Sequence, residues 1–274
     1  MTKYPFFEVE KFVRENTAFL YLNCPKKYNS MTWDFWRDFP SQIRALEEDS
    51  EVRCVVIAGR GEAFSIGLDL SLLSNELKEI VQGDTGDKRQ EFLELILQMQ
   101  SGMNAIAEGR NIYIAAIHNQ CIGAGIDLIA ACDIRLCSKD AIFAIKQTKV
   151  GIVADLGCLN RLPHIIGEGH VRMMALTGKN YKAEEVYRMG LVSEVYENKE
   201  KLIESAFKTA KAIAANPNIT IRGIKNILNY GLNHNLRDSL NQSCLWNVAF
   251  LDSVDLREMQ NALANKRRPI FNKV

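Results

Sequence analysis

The sequence lacks the features that mark several common classes of protein. No apolar run approaches the ~20 residues that are needed to span a bilayer. The formal net charge is only +1 over 274 residues, so electrostatics give no argument for a nucleic acid or an anionic membrane as the main partner. The Gly-Lys-Ser/Thr signature of a phosphate-binding loop is also absent. We therefore expect neither nucleic acid nor a membrane among the partners.

Paired cysteine motifs are missing as well. The seven cysteines show no CxxC spacing, and the four histidines have no metal-ligand spacing with them, so we expect no metal site. The odd count and the apolar neighbours favour buried free thiols in a reducing compartment. The N-terminal residues 1–16 lack the apolar core of a signal peptide, and the last three residues are not the peroxisomal tripeptide. The sequence therefore predicts a cytoplasmic protein.

The N-terminal part of the chain predicts strand, strand, helix and strand, in a sequence that is 47% hydrophobic and 24% charged, as in ordinary globular proteins. Hydrophobic alternation favours an antiparallel pair, followed by an amphipathic helix and a buried apolar run. The ranges are 7–13, 18–23, about 32–48 and 53–59. Ser30 or Thr32 can cap the helix, and Pro40 can interrupt it. The same order recurs loosely around residues 112–155, which indicates stacked ββα turns and not a simple doubly wound sheet.

The segments between this unit and residue 112 are less regular. Residues 71–91 are polar and predict an irregular, mobile segment. Residues 92–107 predict a helix. Its apolar face belongs either to the core or to a ligand pocket, and comprises Phe92, Leu95, Ile96, Met99 and Met103.

The stretch from Asn111 to Leu162 carries the candidate chemistry. An apolar run rich in β-branched residues, Ile112 to Ile117, predicts a buried strand. It is followed by the small residues Gly123-Ala124-Gly125, which let the backbone turn sharply and approach a ligand. The next helix is apolar except for Asp127 in its first turn, where free N–H groups favour a carboxylate. Asp155 lies in a second apolar setting. Two carboxylates in such surroundings form a candidate acid–base site.

Simpler interpretations of these residues stay open at this point. Asp127 can be no more than a helix cap, and Asp155 beside glycines can be an ordinary turn residue. The strand–glycine–helix pattern also resembles a dinucleotide-binding motif, but Leu128 occupies the position that needs a third small residue. The residues by themselves predict a site and no named reaction.

Four segments carry a resemblance to a known family. They are HNQCIGAGIDL at 118–128, ACDIR at 131–135, VGIVADLG at 150–157 and RLP at 161–163. Together they resemble the crotonase (enoyl-CoA hydratase/isomerase) superfamily, and within it the Δ3,5-Δ2,4-dienoyl-CoA isomerases. The resemblance implies an α/β fold with a crotonase-like ββα spiral core over residues 1–199, which binds acyl-CoA.

The resemblance also implies a C-terminal helical region, residues 200–274. In the family this region builds homotrimers, which can pair into hexamers. Candidate interface residues are Trp246, Phe250 and Leu251, although ordinary core packing is the simpler explanation of such side chains.

The family pattern assigns roles in substrate binding by position. The residue after Gly67 is expected to donate its backbone N–H to the thioester carbonyl of an acyl-CoA, and here that residue is Leu68. The second donor of this oxyanion hole maps to Ala124, where the family has glycine. Two such donors stabilise the enolate that forms when a proton leaves the adjacent carbon. The remaining expected substrate-binding residues are Lys27, Ala63, Ser65, Ile66, Gly67, Asp69, Leu70 and Gly123.

The catalytic positions depart from the pattern of the dienoyl-CoA isomerases at one residue. Hydratases of this superfamily use two glutamates, which map to Asp127 and Gln147. Dienoyl-CoA isomerases use Asp, Glu and Asp, which map to Asp127, Gln147 and Asp155. A neutral amide cannot shuttle a proton near neutral pH, so we do not expect efficient water addition.

These positions predict an acyl-CoA isomerase of fatty acid β-oxidation. Asp155 is the expected base at the α-carbon, and Asp127 is a polar partner or surrogate acid. No cofactor is expected, because the substrate is itself carried as a coenzyme A thioester. The alternatives are an enoyl-CoA hydratase-type lyase and a non-catalytic acyl-CoA-binding protein.

Overall fold

Two β-sheets organise the protein, whose computed structural model describes residues 6–271. The strands are β1 (Phe7–Phe12), β2 (Thr17–Leu22), β3 (Cys54–Gly59), β4 (Ile112–Ile117), β5 (Gln120–Ile122), β6 (Ile134–Ser138), β7 (Ile142–Ala144), β8 (Tyr181–Lys182) and β9 (Glu194–Tyr196). The larger sheet has the order β1-β2-β3-β4-β6-β9, and the smaller sheet has the order β5-β7-β8. Only β1 runs antiparallel to its neighbour in the larger sheet; the described strands from β2 onward are parallel there. Parallel pairs need crossovers, which the helices supply.

Helices alternate with the strands along the chain as far as β9, after which the described elements are helical. They are α1 (Trp33–Glu48), α2 (Lys78–Gln82), α3 (Gly86–Glu108), α4 (Ala124–Ala131), α5 (Cys158–Arg161), α6 (Pro163–Ile166), α7 (Glu168–Thr177), α8 (Ala183–Arg188), α9 (Lys199–Ala214), α10 (Asn218–Gly231), α11 (Leu236–Phe250) and α12 (Val254–Ala264). The α/β class that the sequence predicts is therefore confirmed.

Both faces of the larger sheet are covered, as is usual for parallel strands. Successive side chains of a strand point to opposite faces, so in β3 the side chains of Val55 and Ile57 pack towards α1, α3 and α4, while Cys54 and Val56 pack towards α9. Helix α9 presents an apolar stripe to the sheet, made of Leu202, Ala206, Ala210 and Ala214. The four-residue spacing places these side chains on one face of the helix. Helix α9 thus belongs to the packed sheet layer, although the predicted C-terminal region begins at residue 200.

The first predicted elements are confirmed by the structure. Strands β1 and β2 form the antiparallel pair, and α1 ends at Glu48 as expected. Thr32 is the N-cap residue of α1, but its side chain makes no capping hydrogen bond. Pro40 lies inside α1 without ending it. The neighbouring side chains of Phe35 and Phe39 are fully buried, and their packing offsets the N–H that proline lacks.

The prediction of an irregular segment over residues 71–91 is wrong. A 3₁₀ turn spans Leu70–Ser74, α2 follows, and α3 already begins at Gly86. Although the segment is mostly polar, it contains two buried apolar anchors, Leu72 and Leu77, which are 2% and 3% exposed. Burial of these leucines holds the segment against the body of the protein.

Five of the seven cysteines are buried free thiols, as predicted, while Cys24 is half-buried and Cys244 is exposed. Within residues 6–271, none of the helices combines the length and the apolar character required to cross a membrane.

Candidate active site

A cavity of about 270 Å³ lies beside the N-terminus of α4. Its wall is mainly apolar and comes from α1, α2, α3 and the segments around residues 66–73 and 146–156. The apolar lining consists of Trp36, Ile66, Leu68, Leu70, Leu73, Leu77, Val81, Phe92, Leu95, Ile96, Met99, Ile122, Gly123, Ala124, Val150, Ile152 and Leu156. Four polar residues complete it: Asp127, Lys146, Gln147 and Asp155. An apolar cavity with a few convergent polar groups is typical of a small-molecule site.

Leu68 and Ala124, the two predicted backbone donors, both line this cavity. Within residues 6–271 the N–H of Leu68 donates to no acceptor, because the flanking hydrogen bonds run from Met31 to Gly67 and from Asp69 to Met31. Ala124 is the first residue of α4, where an N–H group has no partner within the helix. Both N–H groups are therefore available to a bound molecule.

Gly67 explains how these two segments come so close together. Its φ of +84° lies in the left-handed region, which favours glycine. A methyl group at this position would lie 2.6 Å from the carbonyl oxygen of Ile122 and 2.9 Å from the amide nitrogen of Ala124. Only a residue without a side chain permits this approach.

The carboxyl group of Asp127 is completely buried and is held by two donors. Its Oδ1 accepts a hydrogen bond of 2.7 Å from the backbone N–H of Cys158, and its Oδ2 accepts one of 3.2 Å from Nε2 of Gln147. Burial is the main reason that the pKa of Asp127 is raised to about 6; the nearby charge of Asp155 acts in the same direction, and the hydrogen bond from Cys158 acts against it. Because neither donor belongs to the first turn of α4, Asp127 is not simply a helix cap. It can hold or release a proton near neutral pH.

Gln147 begins a short 3₁₀ turn and reaches the cavity with its amide. Nε2 is occupied by Asp127, whereas Oε1 is buried and has no hydrogen-bond partner within the described residues. A buried acceptor without a partner is unfavourable, so a bound molecule that donates a hydrogen bond there is stabilised.

Asp155 lies in the turn between the 3₁₀ segment and α5, at the rim of the cavity. Its side chain is exposed to solvent, yet partial burial still raises its pKa above the ordinary value. The same residue also lines a larger polar groove of about 1070 Å³, which extends along α3 and α5 to α10. Asp155 therefore stands where the apolar cavity meets an open polar space.

The other predicted binding residues fall into two groups. Ile66, Leu70 and Gly123 line the cavity. Ala63 and Ser65 are fully buried and do not line it. The hydroxyl of Ser65 donates to the carbonyl of Asn29 and accepts from the N–H of Gly67, so it supports the loop that presents Leu68.

Lys27 and Asp69 pair with each other outside the cavity. Nζ of Lys27 lies 2.9 Å from Oδ2 of Asp69, and the lysine side chain is 56% exposed. The carboxylate of Asp69 also accepts from the backbone N–H of Ser71, which it caps. The pairing leaves Lys27 at the surface next to the loop that carries Leu68.

Sequence reasoning missed the contribution of α2 and of the turn before it. Leu73, Leu77 and Val81 line the cavity, and they recur every four residues. This spacing is typical of one helix face and would have indicated the helix, despite the polar residues between. Of the apolar stripe on α3, four members line the cavity, while Met103 is fully buried in the core.

Comparison with known proteins identifies the family. The sequence pattern of the family described as Enoyl-CoA hydratase/isomerase matches residues 13–273. The chain is 38% identical to the mitochondrial Delta(3,5)-Delta(2,4)-dienoyl-CoA isomerase of Dictyostelium discoideum, over 99% of this chain and 92% of that protein. It is 36% identical to the peroxisomal Delta(3,5)-Delta(2,4)-dienoyl-CoA isomerase of Arabidopsis thaliana, over 100% and 99% of the two chains. The protein belongs to the enoyl-CoA hydratase/isomerase family.

A solved structure supports the same fold. The enoyl-CoA hydratase of Bacillus anthracis is similar with a TM-score of 0.86 at 24% identity, covering 98% of this chain and 100% of that one. The crotonase-like core with C-terminal helices is thereby confirmed, while the family resemblance is confirmed by the family match and the relatives above. The roles of the individual site residues stay predictions.

Proposed function

We propose that this protein is an acyl-CoA isomerase of fatty acid β-oxidation that converts 3,5-dienoyl-CoA into 2,4-dienoyl-CoA. One observation carries the proposal: Asp127, Gln147 and Asp155 line the same apolar cavity as the amide groups of Leu68 and Ala124. The full-length similarity to proteins named dienoyl-CoA isomerases supports the choice of reaction.

The first step in this proposal is formation of an enolate. The thioester oxygen accepts hydrogen bonds from the N–H groups of Leu68 and Ala124, and the acyl chain lies against α2 and α3. When the C2–H bond breaks, negative charge develops on the oxygen, where the two donors stabilise it. Loss of one such donor costs ~3–4 kcal/mol of barrier in other enzymes, so we expect this pair to be the largest catalytic contribution.

The proton transfers are assigned to the two aspartates. Asp155 removes the proton from C2, and the electron pair shifts the double bonds from positions 3 and 5 to positions 2 and 4. A proton then bonds to C6. Asp127 is the proposed donor for that step, because it lines the cavity and its pKa of about 6 lets it carry a proton near neutral pH. Gln147 holds the carboxyl of Asp127 and transfers no proton.

A second candidate function is binding of acyl-CoA without turnover. The observation that favours it is the amide at position 147, where the family pattern has a carboxylate. The same amide argues against a hydratase, because water addition needs one group to activate water and another to deliver a proton.

The test is a side-by-side assay of 3,5-dienoyl-, 3-enoyl- and 2-enoyl-CoA, followed by ultraviolet absorbance and by deuterium uptake from heavy water. An isomerase produces the conjugated 2,4-diene and exchanges the C2 proton. A hydratase consumes 2-enoyl-CoA. A binding protein retains acyl-CoA but exchanges no deuterium into it, which would contradict the proposal.

The proposal extends to the oligomeric state, the cofactor and the cellular location of the protein. Exposed apolar side chains on the C-terminal helices, among them Phe250 at 43% and Leu251 at 60% exposure, support the trimers or hexamers that the family resemblance implies. Trp246 instead packs against Gly223 of α10.

The reaction consists of proton transfers alone, so we propose no cofactor beyond the coenzyme A of the substrate. A cytoplasmic location stays a prediction, since the relatives above are named as mitochondrial and peroxisomal proteins.

A further inference from the structure

The turn from residue 155 to residue 158 contacts both acids of the candidate site. It carries Asp155 itself, and the backbone N–H of Cys158, three residues later, donates to Oδ1 of Asp127 across 2.7 Å. Because the turn is so short, a displacement of the backbone moves Asp155 relative to Asp127. Whatever fixes this turn therefore fixes the geometry of the two carboxyl groups.

Two backbone carbonyls of the turn are held by side chains. Nε2 of Gln100 donates to the carbonyl oxygen of Asp155 across 2.6 Å. Nη1 of Arg161 donates to the carbonyl oxygen of Leu156 across 3.3 Å, and its Nη2 donates to Oδ1 of Asn104 across 2.5 Å. Gln100 and Asn104 are one helical turn apart on α3, so both contacts come from the same face of that helix.

Gly157 shows how closely the turn is built around the guanidinium group. Its φ of +115° is a conformation that residues with side chains rarely adopt. A methyl group there would lie only 1.9 Å from Nη1 of Arg161. The turn and Arg161 therefore occupy adjoining space, and an additional carbon there would displace the guanidinium group from its position against the turn.

We infer that Gln100, together with the Asn104–Arg161 pair, positions Asp155 for proton transfer. The inference rests on the proposed function and extends it by naming the groups that set the position of the base. Asp155 is exposed, and the hydrogen bond that its carboxylate receives comes from its own backbone, so the place of the side chain depends on that backbone. Small displacements of a reacting group are costly, since about 1 Å can reduce a rate about a hundredfold.

The test compares two glutamines on the same helix. Gln100→Met keeps the length of the side chain but removes the donor to Asp155. Gln98→Met is the matched control, because Gln98 is exposed on α3. We expect Gln100→Met to lower kcat by about tenfold, the equivalent of one lost hydrogen bond, with KM changed less than twofold. Gln98→Met should behave as the parent protein does.

The pH profile separates positioning from a general loss of structure. Partial burial raises the pKa of Asp155. A looser turn exposes the carboxylate further and reduces this effect, so the acid limb of the kcat profile in Gln100→Met should move to lower pH. Asn104→Asp keeps an acceptor for Arg161, and we expect it to lose less activity than Asn104→Leu.

Hydrogen exchange of the backbone amides at residues 156–159 provides a readout that is independent of turnover. These amides should exchange faster in Gln100→Met than in the parent and in Gln98→Met. If Gln100→Met left kcat, the pH profile and the hydrogen exchange of these backbone amides unchanged, the inference would be overturned. If the parent protein turned over none of the thioesters, the proposed function would fail, and the exchange comparison would still decide whether Gln100 holds the turn.

Discussion

Gln147 donates a hydrogen bond from Nε2 to Oδ2 of Asp127 across 3.2 Å, in a mainly apolar cavity. The amide donates a hydrogen bond to the buried carboxyl group and does not compete with it for a proton. A carboxylate at position 147 would instead repel Asp127. Among the three catalytic positions, this residue is the departure from the Asp, Glu and Asp pattern of the dienoyl-CoA isomerases.

Gln147→Glu should therefore add a third proton-transfer group, beside Asp127 and Asp155. We expect hydration of 2-enoyl-CoA to rise by about a hundredfold, the usual contribution of one general acid or base. The measurement is the formation of 3-hydroxyacyl-CoA, which is detected by its mass. Gln98→Glu on the exposed side of α3 is the control. A folded Gln147→Glu variant with no gain in hydration would show that the amide is not what limits water addition.

Asp127 should make stability depend on pH. Its pKa rises from 3.8 to about 6 on folding, so the folded state binds the proton more tightly than the unfolded state does. The stabilisation is fully present below pH 3.8 and is lost as the pH rises to 6. Above that, the ionised buried group costs on the order of 3 kcal/mol.

Asp127→Asn removes this charge. We expect its free energy of unfolding to exceed that of the parent at pH 8, and the difference to shrink towards pH 4. Chemical denaturation at both pH values measures it. Gln147 can turn its unpartnered Oε1 towards the new amide, so the hydrogen bond persists. A difference that does not depend on pH would contradict the assigned shift of the pKa.

Gly67→Ala tests the contact between the two donor segments. The added methyl group collides with Ile122 and with the amide of Ala124, and the positive φ adds strain. We expect kcat to fall by about a hundredfold or more, because the N–H groups of Leu68 and Ala124 move apart. Gly86→Ala is the control, since a methyl group there meets nothing within 4 Å. Full activity in Gly67→Ala would mean that the two amides do not act together.

Lys225 joins α10 to the sheet and should be important for stability. Its buried ammonium group donates to the carbonyls of Ile106 and Asn111 and pairs with Asp133 at 3.0 Å. Lys225→Met leaves Asp133 unpaired, so we expect a loss of about 3–5 kcal/mol of unfolding free energy. Lys208→Met, on the exposed side of α9, should change it by less than about 0.5 kcal/mol. Equal stabilities of the two variants would exclude this role.

Much of the fold follows from local patterns in the sequence. Strand β4 has the predicted bounds, since a run of β-branched residues flanked by polar ones has few other structures open to it. The segment of α2 was missed because polar residues separate its apolar anchors. Its helical structure depends on burial of Leu72 and Leu77 against distant parts of the chain, which a local pattern does not contain.

Only part of the candidate site can be predicted from the sequence. Asp127 and Asp155 stand out as carboxylates in apolar surroundings, and the family pattern adds Leu68 and Ala124. The hydrogen bond that holds the turn at Asp155 cannot be predicted from the sequence, because its donor, Gln100, lies 55 positions away along the chain. Neither periodicity nor motif spacing reports such a contact. The raised pKa of Asp127 likewise arises from burial by the whole fold.

The most direct measurement is deuterium exchange and isomerisation of 3,5-dienoyl-CoA by Asp155→Asn, with Asp84→Asn in the exposed turn before α3 as the matched control. If Asp155 removes the C2 proton, both rates fall by about a thousandfold in Asp155→Asn while acyl-CoA binding is retained, and the control keeps the parent rates. Unaltered exchange and turnover in Asp155→Asn would contradict the assignment of the base.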